Sequence, residues 1–123
     1  FLIDPMRTSA QKVGKYDYGV GDRPDGPPKA QCFLQADGSI QLGDRPEIKV
    51  TTKRDGSNTG NITYEIAVPW KMVAPFKPGV GANLGLTMIV NEDDGHGRDA
   101  FLTWFGNAHN KDIDKVGDLI LKE

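Results

Sequence analysis

Oxygen-donor side chains concentrate at one turn of the sequence, where Glu92, Asp93 and Asp94 are consecutive and Asp99 follows closely. Calcium binds roughly six to eight oxygen ligands of this kind. The spacing does not match an EF-hand loop, because Gly95 follows Asp94 without the alternating acidic positions. The run predicts either a calcium site on Glu92, Asp93 and Asp94 or a solvated hairpin tip, and the hairpin tip is the simpler interpretation.

A second run, Trp104-Phe-Gly-Asn-Ala-His-Asn110, combines aromatic rings with amide and imidazole groups. Sugar rings stack on exposed aromatic faces, and polar side chains such as Asn and Arg hydrogen-bond the hydroxyls. The candidate sugar-binding residues are the polar and aromatic ones around this run: Arg98, Trp104, Asn107, His109 and Asn110. The alternative, which the sequence favours for both residues, places Trp104 and Trp70 in the core or at its edge, because tryptophan is usually mostly buried.

The sequence contains no pattern typical of an enzyme. G-x-S-x-G and H-E-x-x-H are absent, and the two histidines, His96 and His109, lie in predicted loops. Cys32 is the only cysteine, and its position in a predicted strand favours a buried, inert thiol and excludes a cysteine-based zinc site. We therefore predict a non-catalytic protein.

Charge and hydropathy argue against two further kinds of partner. The formal net charge is -2, and basic residues do not form a stripe interleaved with aromatics, so nucleic-acid binding is not predicted. No apolar run approaches the ~20 residues of a membrane span, so membrane insertion is not predicted either.

Short strands are predicted to position these groups. Ile62 to Val68 alternate apolar and mostly polar side chains with a period of two, as a half-buried strand requires, and Pro69 ends that strand. Trp70 to Ala74 then has room for about one helical turn before Pro75. A second strong strand is predicted from Asn83 to Asn91.

Further strands are predicted between turns. Asp37-Gly38 is a hairpin signal with a return strand at Ser39 to Leu42, and residues 47–68 are predicted to form another hairpin. The other predicted strands cover residues 1–3, 15–20, 29–35, 99–104 and 117–122. With 15 glycines and 8 prolines spread along the chain, the pattern predicts one all-β domain over residues 1–123, an antiparallel β-sandwich or open barrel.

The order of several motifs resembles that of a known family. The motifs are Phe1-Leu-Ile-Asp-Pro5, Tyr64-Glu-Ile-Ala-Val-Pro-Trp70, Gly85-Leu-Thr-Met-Ile-Val-Asn-Glu-Asp-Asp94, Arg98, Trp104 and Gly117-Asp-Leu-Ile-Leu121. The sequence resembles the family 9 carbohydrate-binding modules and the wider DOMON-like group of β-sandwiches. The resemblance implies a jelly-roll-like sandwich, a carbohydrate ligand, an extracellular or cell-surface location and a structural calcium ion.

Two departures from the family's pattern affect the implied binding site. Members of the family have several strands before the segment that matches Phe1, and that upstream part holds one of two tryptophans that clamp the sugar. The second clamp tryptophan belongs to the loop that matches residues 107–114, which has no aromatic residue here, although Asn107 and Asn110 stand in the place of loop asparagines. The resemblance thus implies a partial domain, completed by a missing N-terminal segment or by another chain.

Three hypotheses about function follow. The first is a non-catalytic module that binds poly- or oligosaccharides as part of a secreted or cell-surface protein. The second is a DOMON-type electron-transfer domain that holds haem b, for which the candidate ligands by residue type are Met6, Met72, Met88, His96 and His109. The third is a structural or assembly β-sandwich without a small-molecule ligand.

Overall fold

The computed structural model describes residues 1–7, 14–23, 26–35, 40–56, 61–93, 97–106 and 113–123. In these ranges the regular elements are β-strands and two short 3-10 helices. The strands are β1 Leu2–Asp4, β2 Tyr16–Arg23, β3 Gly26–Leu34, β4 Gly43–Asp44, β5 Lys49–Arg54, β6 Ile62–Ala67, β7 Asn83–Asp93, β8 Arg98–Trp104 and β9 Gly117–Ile120. The 3-10 helices are Trp70–Val73 and Ile113–Lys115. No helix of the described ranges is long and apolar enough to cross a membrane.

The larger sheet has seven strands, and all of its pairings are antiparallel. Its order is β4-β3-β2-β1-β7-β8, and β9 also pairs with β7. The other sheet is the hairpin of β5 and β6. The two sheets pack against each other, which confirms the predicted antiparallel β-sandwich.

Strand β7 is the centre of the larger sheet because three strands pair with it. Residues 85–87 pair with β1, residues 83–86 with β9, and residues 88–93 with β8. Since β1 and β9 both pair with residues 85 and 86, they lie on opposite sides of β7. In the sheet order, β7 lies between β1 and β8. Strands β8 and β9 therefore both lie on the side of β7 that faces away from β1, one after the other along its length.

The core lies between the two sheets and is centred on Tyr16 and Tyr18 of β2, both fully buried. Their rings stack with centroids 5.9 Å apart. The hydroxyl of Tyr16 donates a hydrogen bond of 2.6 Å to the carbonyl oxygen of Ala74, and that of Tyr18 donates to the carbonyl oxygen of Met72. Buried phenol groups need such partners. These bonds fix the 3-10 helix Trp70–Val73 against β2.

Several sequence predictions are confirmed. The strand that stops before Pro69, the helical turn that follows it and the hairpin of residues 47–68 are all present. Cys32 is a free, buried cysteine, as expected. Burial raises the pKa of its thiol, which keeps it protonated and unreactive near neutral pH.

Three structural predictions are wrong. The return strand predicted at Ser39 to Leu42 is instead the two-residue strand Gly43–Asp44, because Ile40 leaves the sheet to enter the core. The Asp37-Gly38 turn lies outside the described residues. The strand Ile62 to Val68 was predicted to bury its apolar face, yet Tyr64 and Ile66 are exposed, because they line open cavities and are not covered by close-packed side chains. Trp70 is also exposed, where the sequence favoured the core or its edge.

An ion pair on the surface connects the start of the chain to its last strand. The Arg7 Nε donates a hydrogen bond of 2.9 Å to the Asp118 carboxylate, and the Asn83 amide donates one of 3.2 Å. The hydrogen bond from Arg7, followed by the one from Asn83, lowers the pKa of Asp118 below its ordinary value of 3.8.

Replacing Asp118 by asparagine should therefore cost stability in a pH-dependent way. Because the folded pKa lies below the unfolded one, the stabilisation is present above the unfolded pKa and is lost as the pH falls through the folded pKa. Urea unfolding of the parent protein and of Asp118→Asn should differ at pH 7, and the difference should shrink as the pH falls below the ordinary value of 3.8 and through the lower folded pKa. A difference that stays constant with pH would contradict this role of the carboxylate.

Candidate functional site

The register of β7 and β8 determines which way Trp104 faces. Met88 lies opposite Trp104, and Val90 lies opposite Leu102. Directly opposed residues of an antiparallel pair share a face. These four side chains therefore lie on the face of the larger sheet that also carries Leu84 of the core. The alternation of β8 places Ala100 on the same face as Leu102 and Trp104.

The second sheet does not cover this part of the inner face. Val90 is 60% exposed, Leu102 78% and Trp104 45%, although they continue the face that is buried further along β7. The sequence favoured a core or core-edge position for Trp104, and the exposure of its side chain corrects that expectation. We call Met88, Val90, Leu102 and Trp104 the apolar strip.

An aromatic pair ends the apolar strip. The rings of Trp104 and Phe105 meet edge to face, with centroids 4.8 Å apart, and more than half of Phe105 is exposed. Phe105 has a φ of 61°, which is the left-handed region and rare for a bulky residue, and Gly106 follows with a φ of 63°. The chain therefore turns sharply after β8. Trp104 and Phe105 are called the aromatic pair below.

A buried threonine holds the backbone of the aromatic pair. Thr87 of β7 is fully buried, and its hydroxyl oxygen lies 2.5 Å from the carbonyl oxygens of both Trp104 and Phe105. One hydroxyl carries one proton, so it donates to one carbonyl at a time or shares the proton between them. In either case Thr87 provides a donor for part-buried backbone carbonyls at the turn.

Two glycines allow the turn to pack against the beginning of β9. A Cβ atom on Gly106 would overlap the carbonyl oxygen of Lys115, and one on Gly117 would lie 2.7 Å from the Phe105 ring. Both positions therefore need a residue without a side chain. The aromatic pair is thus held by Thr87 on one strand and by the Lys115–Gly117 segment on the other side of the turn.

The structure separates two of the predicted sugar-binding residues. Arg98 begins β8 and Trp104 ends it. At about 3.3 Å per residue, the six residue steps between them span roughly 20 Å. Only a ligand long enough to follow β8 would contact both. Asn107, His109 and Asn110 lie outside the described residues, and they follow the aromatic pair directly in the sequence.

The acidic residues predicted for calcium lie at the far end of β7 and beyond it. Glu92 and Asp93 are its last two residues, and the backbone of Asp93 lies opposite that of Arg98. Asp94 is outside the described residues. Within the described ranges no group of three or more His, Cys, Asp or Glu side chains is placed to hold a metal. The calcium site stays a prediction.

An apolar groove that the sequence did not reveal lies between the sheets. Its cavity volume is about 290 Å³. The lining residues are apolar side chains of both sheets and of the 3-10 helix: Phe1, Ile3, Ile66, Val68, Trp70, Val73, Leu84, Leu86, Met88 and Leu119. Trp70 stands at this groove with its ring centroid 5.4 Å from that of Phe76. Apart from the indole N–H of Trp70 and the weakly accepting thioether of Met88, these walls offer no described polar side chain for sugar hydroxyls.

Comparison with known proteins identifies the family. The family model described as "Carbohydrate family 9 binding domain-like" matches residues 26–123. The chain belongs to this family. The matched region contains β8, the aromatic pair and the predicted loop residues Asn107, His109 and Asn110. No curated protein and no solved structure matches the chain.

Membership of the carbohydrate family 9 binding domain-like family confirms the main part of the resemblance that the sequence motifs indicated. The wider DOMON-like part of that resemblance has no support from the comparisons. Of the residues named as haem ligands by type, Met72 is buried in the core and Met88 belongs to the exposed apolar strip. His96 and His109 lie outside the described residues.

Proposed function

We propose that this protein is a non-catalytic carbohydrate-binding domain of a secreted or cell-surface protein, and that it binds poly- or oligosaccharides at the aromatic pair. The observation that supports the site is the exposed, firmly held pair of rings at the end of β8. Family membership supports the carbohydrate ligand.

The physical basis of the proposal is the stacking of a sugar ring on an aromatic face. One face of many pyranose rings presents mainly C–H groups, so stacking removes apolar surface of both partners from water. Trp104 leaves a large part of its surface exposed for this contact. Because Thr87 and Gly106 hold the turn, little conformational entropy is lost when a ligand binds.

Sugar hydroxyls also need hydrogen-bonding partners, since an unpaired hydroxyl loses its water on binding. We assign this role to Asn107, His109 and Asn110, because they follow the aromatic pair in the chain. Arg98 is assigned to a separate contact about 20 Å along β8. Replacing Arg98 should therefore weaken the binding of long oligosaccharides and leave short ones unaffected.

Calcium is a separate part of the proposal. We place it at Glu92, Asp93 and Asp94, where acidic residues concentrate at the end of β7 and directly after it. An ion there would be structural, since the aromatic pair lies at the other end of the β7–β8 hairpin. Its removal should lower the melting temperature and leave the affinity for short sugars unchanged.

Binding of the purified protein to a broad panel of plant, fungal and bacterial glycans tests the proposed function. The affinity of positive glycans should then be measured by isothermal titration calorimetry. Dissociation constants in the range of roughly micromolar to millimolar are expected for a single stacking site. Failure of the folded protein to bind any glycan of the panel would overturn the proposal.

A further inference from the structure

A cavity of about 440 Å³ lies where the chain passes from the larger sheet to the β5–β6 hairpin. Strand β4 ends at Asp44, and β5 begins at Lys49. The segment between them is tightly bonded. The Arg45 N–H donates a hydrogen bond of 2.8 Å to the carbonyl oxygen of Ala30 on β3, and the Ile48 N–H donates one of 3.1 Å to that of Arg45.

The charged residues that line this cavity are mostly cationic. They are Lys29, Arg45 and Lys49, with Asp44 as the one carboxylate among the described residues that line it. Positive charge therefore predominates here, although the whole chain has a formal net charge of -2. We call the cavity lined by Lys29, Arg45 and Lys49 the basic cleft.

Asp44 does not neutralise the basic cleft. Its carboxylate accepts a hydrogen bond of 2.6 Å from the Gln31 amide and lies 4.0 Å from the Lys29 Nζ, which is beyond hydrogen-bonding distance. Arg45 and Lys49 form no ion pair with any carboxylate of the described residues. Two cations are thus available to an anionic ligand.

Backbone carbonyl groups hold these two cations in place. The Arg45 Nη2 donates a hydrogen bond of 3.1 Å to the carbonyl oxygen of Leu42, and the Lys49 Nζ donates one of 3.1 Å to that of Pro46. A guanidinium has five N–H donors and an ammonium three, so both groups keep donors for a ligand. Because the side chains are already positioned, an anion that binds them orders little further.

The remaining walls of the basic cleft are apolar. Pro28, Pro46 and Val50 line it, together with Ala30 and Ile48, which are buried in the core. An inorganic anion would contact the cations and leave this apolar surface uncovered. A ligand that combines a carboxylate with an apolar ring face would contact both parts of the cleft.

We propose that the basic cleft binds uronic acid residues of acidic polysaccharides. The carboxylate of the sugar accepts charge-assisted hydrogen bonds from Arg45 and Lys49. The C–H face of the ring packs on Pro46 and Val50, which removes apolar surface from water. That the anion is carried by a sugar rests on the proposed function, while the basic cleft is a second site.

The basic cleft is separate from the aromatic pair. Strand β4 lies at one end of the sheet order and β8 at the other. With neighbouring strands about 4.8 Å apart, five steps across the sheet separate the two sites by roughly 24 Å. Replacing Trp104 by alanine should therefore leave binding at the cleft unchanged.

Nuclear magnetic resonance titration of the isotope-labelled protein at low ionic strength tests the inference. The probe is a trimer of galacturonic acid, and its methyl ester is the matched neutral ligand. The acidic trimer should shift the amide resonances of Arg45, Ile48 and Lys49 until they saturate. The ester should bind there at least about tenfold more weakly, and sodium chloride should weaken binding of the acidic trimer.

A pair of double variants tests the role of the two cations. Arg45→Gln combined with Lys49→Gln should weaken binding of the acidic trimer by about tenfold or more. The matched control combines Lys77→Gln with Lys122→Gln, which removes the same charge from exposed lysines that do not line the cleft. This control should stay within about twofold of the parent affinity.

Three results would overturn the inference. The first is equal affinity of the cleft for the acidic trimer and its ester, a comparison that needs only the parent protein. The second is the same change of affinity in both double variants. The third is equally tight binding of tricarballylate, a non-sugar with three carboxylates.

The same titrations distinguish this inference from the proposed function. Neutral glycans that bind at Trp104, without any response of the cleft to the acidic trimer, would overturn the inference alone. Binding of the acidic trimer at the cleft, without any glycan binding at Trp104, would overturn the assignment of the carbohydrate site to the aromatic pair alone.

Discussion

Replacing Trp104 by alanine is expected to weaken carbohydrate binding by roughly 30-fold or more, which corresponds to the ~2 kcal/mol typical of a binding hot spot. The substitution removes the larger ring of the aromatic pair and its stacking surface. Isothermal titration calorimetry with a glycan that binds the parent protein gives the ratio of affinities. Because Trp104 is 45% exposed, most of the core remains, and the circular dichroism spectrum should not change.

Trp70→Ala is the matched control for this substitution. Trp70 has the same exposed fraction as Trp104 and also contacts a phenylalanine, Phe76. It lies on the 3-10 helix beside the apolar groove and not at the end of β8. Trp70→Ala should therefore leave the affinity within about twofold of the parent value. Equal losses in both variants would show that the aromatic pair is not the sugar site.

Replacing Gly106 by alanine is expected to reduce both stability and binding. The new Cβ atom would overlap the carbonyl oxygen of Lys115, and the left-handed backbone of Gly106 is unfavourable for alanine. The backbone conformation alone should cost about 1–2 kcal/mol. Displacement of the turn from β9 adds to this cost and also moves the aromatic pair. Urea unfolding measures the stability, and calorimetric titration measures the affinity.

Gly81→Ala is the control that separates the cost of the backbone conformation from the cost of the overlap with Lys115. Gly81 also has a positive φ, of 80°, but a Cβ atom there would meet no atom within 4 Å. This variant should lose only the conformational part of the stability and keep its affinity for carbohydrate. If the two variants are equally destabilised, contact between the turn and Lys115 does not hold the aromatic pair in place.

Much of the fold could be predicted because alternation and turn residues are local signals. Two local signals predict the β5–β6 hairpin, the end of β6 before Pro69 and the shared face of Leu102 and Trp104. They are the two-residue repeat of side chains along a strand and the positions of glycine, proline and other turn residues. The exposure of Trp104 could not be predicted in this way. Alternation shows which side chains share a face, but only the packing of the second sheet decides whether that face is covered.

Part of the candidate site could be predicted from the sequence. A strand from residue 99 to 104 already implies that Arg98 and Trp104 lie far apart, since strands rise about 3.3 Å per residue. Gly106 directly after this strand also indicates a turn, because glycine interrupts strands. The role of Thr87 was not, because it depends on the register between β7 and β8, which brings its hydroxyl to the turn.

The apolar groove between the sheets depends on tertiary structure in the same way. Phe1 and Leu2 are predicted to belong to a strand, but no signal in the neighbouring sequence indicates which strands flank it. Only the antiparallel pairing with both β2 and β7 reveals that β1 ends before its neighbours do.

Tryptophan fluorescence of the Trp70→Phe variant tests the carbohydrate site most directly. The chain has two tryptophans, so this variant reports on Trp104 alone. Titration with a glycan that binds the parent protein should shift its emission to shorter wavelength and saturate, with the dissociation constant found by calorimetry, because stacking removes the indole from water. Calorimetric binding without any change in the emission of Trp104 would contradict the assignment of the site to the aromatic pair.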